Sequence, residues 1–154
     1  SKGEFENTMN SKNKKYLEYI SKIDSSDILT EVDRVLKFLI YKNQIISLGS
    51  ASKNARAILK KLKLLKYFDF IVDGNDITTA KPNPEIFLKS SKLSHCDPSD
   101  CFVFEDSQAG ITAANNANMT SIGMGDKDIL KNAAFNFENF KVISNQFLLN
   151  LIEK

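Results

Sequence analysis

The run Phe102-Val103-Phe104 meets Glu105, Asp106 and Ser107 with no intervening loop. Three apolar residues form a short buried strand. Ser107 has the chemistry of a helix N-cap, and the small residues Ala109 and Gly110 occupy the first turn beyond it. A strand that turns straight into a helix leaves two carboxylates at its carboxyl end, the edge where open α/β sheets bind ligands. The pattern recurs along the chain. Apolar runs at 44–48, 70–72, 101–105 and 119–123 alternate with helical periodicity at 52–62, 84–93 and 107–116. Asn83 and Pro84 read as the cap and first residue of the helix over 84–93. Further helices are expected over 9–23, 30–41 and 144–153, and a short fifth strand over 135–137. Strands of this length alternating with helices specify βαβ units, hence an α/β fold with a parallel sheet covered on both faces.

The 154 residues suffice for one ordinary domain with a proper core. A net charge of +2 argues against nucleic acid or an acidic membrane surface as partner. No apolar run approaches the roughly 20 residues of a membrane helix, and no secretory leader is visible. Cys96 and Cys101 flank a turn without a metal-type pattern, which predicts free, partly buried thiols in a reducing, cytoplasmic setting. His95 has no second histidine nearby and reads as a loop residue. The Phe-rich run Phe135, Phe137 and Phe140 reads as core. The opening Ser1-Lys2-Gly3-Glu4 suggests a piece of a longer protein.

Three loops follow three strands in order. Gly49-Ser50-Ala51-Ser52-Lys53-Asn54 offers hydroxyls and backbone N–H groups at a helix start, an anion site. Lys81, biased to extended backbone by Pro82, offers a cation. Glu105 and Asp106 offer carboxylates for a hard cation. Singly, these features read as caps and solvated charges. Jointly they fit a phosphoryl group with Mg²⁺, its charge spread over hydroxyl, amide, ammonium and metal.

The strings Ser-Ala-Ser-Lys-Asn at 50–54, Lys-Pro-Asn-Pro at 81–84 and Glu-Asp-Ser-Gln-Ala-Gly-Ile at 105–111 resemble three signature motifs of the haloacid dehalogenase superfamily, and within it the β-phosphoglucomutase branch. Tyr67-Phe68-Asp69 and Ile122-Gly123-Met124-Gly125 also fit, and the resemblance covers roughly residues 10–130. It implies a Rossmann-like three-layer core over 27–154, with residues 1–26 as the last part of a helical cap. It assigns the transferring phosphoryl group to Ser50 and the Ala51 amide, and charge neutralisation to Lys81. It gives Glu105 and Asp106 the task of holding or orienting Mg²⁺, and Ser52, Lys53 and Asn54 the grip on a second phosphate of a sugar bisphosphate.

One motif is missing. The family's nucleophile and its acid–base partner are the aspartates of an Asp-x-Asp motif on a first strand, and no such motif follows an apolar strand here. In the family that strand lies between those matching 44–48 and 101–105. Leaving it out would strand ladder groups at about 1–3 kcal/mol each, against a whole-domain stability of roughly 5–15 kcal/mol. Three outcomes are open: an N-terminal segment of a longer protein fills the gap, a second chain fills it, or the two flanking strands pair directly. The implied activity is a Mg²⁺-dependent phosphotransferase interconverting hexose 1-phosphate and 6-phosphate through an aspartyl phosphate, with this chain inactive by itself. The alternatives are a sugar-phosphate phosphatase of the same superfamily and a non-catalytic phosphate-binding fragment.

Overall fold

A computed structural model describes residues 18 and 20–153 of the chain. The helix expected over 9–23 lies mostly outside these residues. Of its span, Ile20 is buried and the Ser21 carbonyl accepts from Lys61 Nζ at 2.7 Å.

The first complete helix, α1 (Val32–Tyr41), buries Val35, Leu36 and Leu39 on one face. Strand β1 (Ser47–Gly49), helix α2 (Ala55–Lys61) and strand β2 (Phe70–Val72) form the first βαβ unit, with β1 and β2 parallel and Leu48 opposite Ile71. Helix α3 (Glu85–Ser94) leads through a 3₁₀ turn to β3 (Phe102–Glu105). Helix α4 (Gln108–Asn116), β4 (Thr120–Met124), β5 (Phe135–Phe137) and α5 (Asn145–Ile152) complete the described order. Strands β3, β4 and β5 are parallel, in that spatial order, with Phe104 opposite Ile122 and Ile122 opposite Phe135.

The alternation of side chains along each strand builds two cores. Leu48, Ile71, Phe102, Phe104 and Phe137 face one layer, packing with Val35, Leu36 and Leu39 of α1, Leu59 of α2 and Leu148 of α5. Val72 and Val103 face the other, against Ile86 and Phe87 of α3 and Ala113 and Ala114 of α4. The result is the three-layer α/β arrangement expected, with Phe137 and Phe140 packed on the core and Phe135 in edge-to-face contact with Phe147. Both cysteines are free and half-buried, and His95 caps α3 in the left-handed conformation (φ 53°).

Element boundaries differ from the sequence expectations by one to three residues at several ends, and three of these shifts have a local cause. Strand β1 spans Ser47–Gly49 rather than 44–48, because its partner is only three residues long and the Ile46 carbonyl is taken by the Asp69 amide at 2.8 Å. Helix α2 starts at Ala55 rather than at 52 or 53: the Ser50 and Ser52 hydroxyls each accept from the amide two residues on, holding the turn open. Helix α3 starts at Glu85, with Pro84 in the cap position and Asn83 Oδ1 accepting from the Glu85 amide at 2.9 Å. Ser107 and Ser144 cap α4 and α5 as expected, through the Gly110 and Phe147 amides.

The sheet is interrupted. Strands β1 and β3 belong to separate sheets of two and three strands and do not pair with each other. Between them runs a slot of about 540 Å³, lined by Leu36, Leu48, Phe87, Phe102, Phe104 and Phe140 among others. Ser47 also lines it, and its buried hydroxyl has no hydrogen-bond partner among the described residues. Direct pairing of the two flanking strands, one of the three outcomes left open by the sequence, does not occur.

Helices bridge the interruption. On one face α3 contacts α4, and on the other α1 contacts α5. Arg34 of α1 reinforces the second bridge, donating to the carbonyls of Phe140 (3.2 Å) and Ile143 (2.7 Å) and to Asn145 Oδ1 (2.6 Å). An Arg34→Met substitution keeps the aliphatic stem and orphans these acceptors. It should cost about 1.5–3 kcal/mol, a fall in melting temperature of roughly 3–12 °C at about 2–4 °C per kcal/mol. A thermal melt showing no shift would mean that the bridge is held by packing alone.

Candidate active site

The carboxyl ends of β1, β3 and β4 open into one cleft of about 700 Å³. Ser50 and Ala51 reach it from the turn after β1, Lys81 from the loop after β2, and Glu105 and Asp106 from the end of β3. The structure thus brings together five of the residues singled out by sequence. Ser52, Lys53 and Asn54 are not among the lining residues; they lie further along the turn that enters α2.

Lys81 and Glu105 form the charged centre. Lys81 Nζ lies 2.7 Å from Glu105 Oε2 and 3.3 Å from the Gly49 carbonyl, and 4.7 Å from the ring centre of Phe87. Both side chains are largely removed from solvent, at 14% and 8% exposure. The other carboxylate oxygen of Glu105 accepts from the Ser107 amide (3.1 Å) and hydroxyl (2.7 Å). Burial works to raise the Glu105 carboxyl, but hydrogen bonds from Lys81 and Ser107 and the ammonium charge outweigh it and hold the group below its ordinary value. Glu105 is therefore a fixed anion that fixes a cation beside it.

Asp106 behaves differently. It is exposed at the cleft, and its carboxylate has no hydrogen-bond or ion-pair partner among the described residues. Mg²⁺ takes oxygen ligands and is commonly held by one or two carboxylates together with phosphate oxygens and water. The donor set fits such an ion, with Asp106 as the free carboxylate and Glu105, both of whose oxygens are engaged, as the neighbouring negative charge. No group of three or more metal-ligating side chains occurs among the described residues.

The anion turn is braced from the second loop. Asp73, at 1% exposure, accepts from the Asn75 amide and side chain and from Arg56 Nε. Asn75 Nδ2 in turn donates to the Lys53 carbonyl at 3.0 Å, and the Gly74 amide to the Ser52 carbonyl at 3.2 Å. A Cβ on Gly74 would sit 2.3 Å from the Ala51 carbonyl oxygen, so the two turns touch only because this residue has no side chain. Ser50 Oγ accepts from the Ser52 amide at 3.2 Å, which leaves its own proton to donate into the cleft.

The cleft is also lined by residues to which the sequence reading gave no part in the site: Leu29, Thr30, Met124, Glu138, Asn139, Phe140 and Lys141. The signal at 139–141 was a local one: Asn139 Oδ1 accepts from the Lys141 amide at 2.9 Å, a capping turn with no apolar period around it.

Residues 2–124 match the family of haloacid dehalogenase-like hydrolases, and the chain belongs to that family. Among curated relatives, β-phosphoglucomutase of Bacillus subtilis is 38% identical over 117 residues, covering 76% of this chain and 52% of the relative. Fructose-1-phosphate phosphatase of Escherichia coli is 35% identical over 100 residues, covering 65% and 53%. Among solved structures, β-phosphoglucomutase of Clostridium difficile superposes with a TM-score of 0.91 at 36% identity, covering 99% of this chain and 69% of that one. The chain spans about half the length of these curated relatives. The relatives it matches include a phosphomutase and phosphatases of phosphorylated sugars. No helix among the described residues is long and apolar enough to cross a membrane.

Proposed function

We propose that this chain carries the phosphoryl-binding half of a Mg²⁺-dependent phosphotransferase of the β-phosphoglucomutase type, acting on a phosphorylated sugar. The observation that carries the reading is the convergence of Ser50, Ala51, Lys81, Glu105 and Asp106 on one cleft at the carboxyl ends of three strands. The nucleophile is the aspartate of a further strand, outside this sequence, that enters the slot between β1 and β3. Its carboxylate oxygen forms a bond to phosphorus as the bond from phosphorus to the sugar oxygen breaks. The phosphoryl group then passes from the aspartate to the other hydroxyl of the sugar.

In both half-reactions the chain's own groups stay in place. The Ser50 hydroxyl and Ala51 amide orient the non-bridging oxygens. The Lys81 ammonium, held by Glu105, lies beside the charge as it moves. Asp106 would hold Mg²⁺, which supplies further charge neutralisation at the phosphoryl oxygens. Because these groups are fixed before substrate arrives, little reorganisation accompanies transfer. The assignment of residues 1–26 to the last part of a cap lies mostly outside the described residues, and the free thiols suit a reducing, cytoplasmic setting.

A sugar-phosphate phosphatase is the second reading. It is favoured by the phosphatase relatives at similar identity and by the position of Ser52, Lys53 and Asn54 away from the cleft lining. The test uses the chain completed by an Asp-x-Asp strand segment. Turnover of β-glucose 1-phosphate is followed with and without a glucose bisphosphate primer, alongside hydrolysis of a small phosphate ester. A mutase shows primer-dependent isomerisation that Lys53→Ala lowers more than it lowers ester hydrolysis. Equal losses, or hydrolysis alone, would establish the phosphatase. Loss of Mg²⁺ dependence should accompany Asp106→Ala in either case.

A further inference from the structure

Glu85 opens α3 and does not line the cleft, yet it is the most heavily hydrogen-bonded carboxylate among the described residues. Its oxygens accept from the Thr78 amide (3.1 Å to each), the Thr78 hydroxyl (3.0 Å at the shorter contact) and the Thr79 amide (2.7 Å). One turn further along α3, Lys89 Nζ lies 2.8 Å from Glu85 Oε1, and it also donates to the Asp76 carbonyl. The hydrogen bond from Lys89 and those from the Thr78 and Thr79 amides outweigh desolvation and push the Glu85 carboxyl down to about 2. The group stays ionised down to pH values far below neutrality, so the contribution it makes is present above the ordinary carboxylate range and disappears only as pH falls through about 2.

These bonds close the loop that carries Lys81. Thr78 and Thr79 form one end of it, Glu85 the other, and Lys81 lies between them. The helix end of the closure is rigid, because Ile86 and Phe87 beside Glu85 are buried at 1% and 5% exposure in the core under β1 and β2. The loop's own backbone bonding is sparse: the Asn83 amide donates to the Ala80 carbonyl at 3.1 Å, and the Pro82 carbonyl accepts from Asn116 at 3.3 Å. Without Glu85, the Thr78 and Thr79 amides, three and two residues before Lys81, lose this acceptor.

We infer that Glu85 is the positioning residue for Lys81: its carboxylate ties Thr78 and Thr79 to α3 and so fixes the ammonium against Glu105 and the Gly49 carbonyl. The inference rests on the reading of Lys81 as the cation that meets a phosphoryl group. Its partner Lys89 steadies the carboxylate and stands further from the loop.

The test has two arms on the full chain. In the first, the Lys81 side chain is observed by lysine-selective NMR, its signal assigned by its disappearance in Lys81→Arg. In the second, inorganic phosphate is titrated in the presence of Mg²⁺ and binding heat is measured. Glu85→Ala should move the Lys81 ammonium signal to the position and exchange rate of exposed lysines, leave other lysines in place, and weaken phosphate binding about tenfold. Glu85→Gln, which keeps the size and one acceptor oxygen, should fall between. Should Glu85→Ala fail to fold, the Glu85→Gln variant decides. An unshifted Lys81 signal in the folded variant would overturn the inference, as would a uniform shift of all lysines, which marks general loosening. Absence of phosphate binding in the unaltered chain would count against the phosphoryl reading alone, because the NMR arm still reports on Glu85.

Discussion

A ten-residue peptide that is apolar along its length and ends in Asp-x-Asp should raise the melting temperature of this chain by roughly 5–10 °C. At 100 times its dissociation constant, a ligand bound only by the folded state contributes about 2.7 kcal/mol, and a chain of this size gains roughly 2–4 °C per kcal/mol. The expectation follows from the slot. The three residues of β1 and four of β3 are paired on one side only, so each presents a row of backbone donors and acceptors to the space between them. The walls are apolar, with Leu36, Leu48, Phe87, Phe102 and Phe104 exposed to that space. Ser47 adds a buried hydroxyl that has no partner among the described residues. An extended segment lying parallel to both strands satisfies two ladders at once, and an acidic end would arrive beside Lys81. A peptide with proline at its centre is the control, since proline removes a ladder donor and does not belong in a central strand. Equal shifts from both peptides would mean non-specific apolar binding, and no shift from either would remove the slot as a strand site.

Gly110→Ala should destabilise the chain by about 2–4 kcal/mol, against the usual sign. In an ordinary helix interior the change from glycine to alanine stabilises by about 1 kcal/mol. Here a Cβ would sit 1.9 Å from Glu105 Cδ and 2.2 Å from its Oε2. No rotation of the methyl relieves this, because it belongs to the backbone geometry of α4. The Glu105 carboxylate must therefore leave its place between Lys81 and Ser107. Overpacking of this kind costs about 1–3 kcal/mol, and the hydrogen bonds that the displaced carboxylate gives up add roughly 1 kcal/mol. A double-mutant cycle isolates the cause. In Glu105→Ala the atoms that clash are gone, so adding Gly110→Ala should cost nothing further, or gain slightly. Additive losses measured by chemical denaturation would place the conflict elsewhere.

The sequence made the strand–helix alternation legible because periods of two and of 3.6 are local properties. It made three loops legible because their residue types are unusual in order. What it could not show depends on contacts between distant residues. The length of β1 is set by the three residues of β2 that pair with it, and the start of α2 by the Ser50 and Ser52 hydroxyls that compete for its first amides. Glu105 and Asp106 look equivalent as neighbours in sequence. Burial separates them, committing one to Lys81 and Ser107 and leaving the other open to the cleft. Glu85 carries no signal of its own in the sequence, since nothing local reveals that Thr78 and Thr79 fold back onto it. Glu138 and Lys141 carried no periodic signal at all, and only the fold brings them to the cleft wall.

The interruption between β1 and β3 also divides the molecule's cooperativity. Strand β4 alone has neighbours on both sides among the described strands, and Ser121 and Ile122 within it are fully buried. The half built on β3, β4 and β5 thus has a complete interior strand of its own. The half built on β1 and β2 has none, and leans on α3 and α1 for its attachment. Opening the seam would break helix contacts and the Arg34 bridge but no backbone ladder. The turn that would grip phosphate and the residues that would hold the metal stand on opposite banks of that seam, so whatever joins the halves into one folding unit also sets the distance between them.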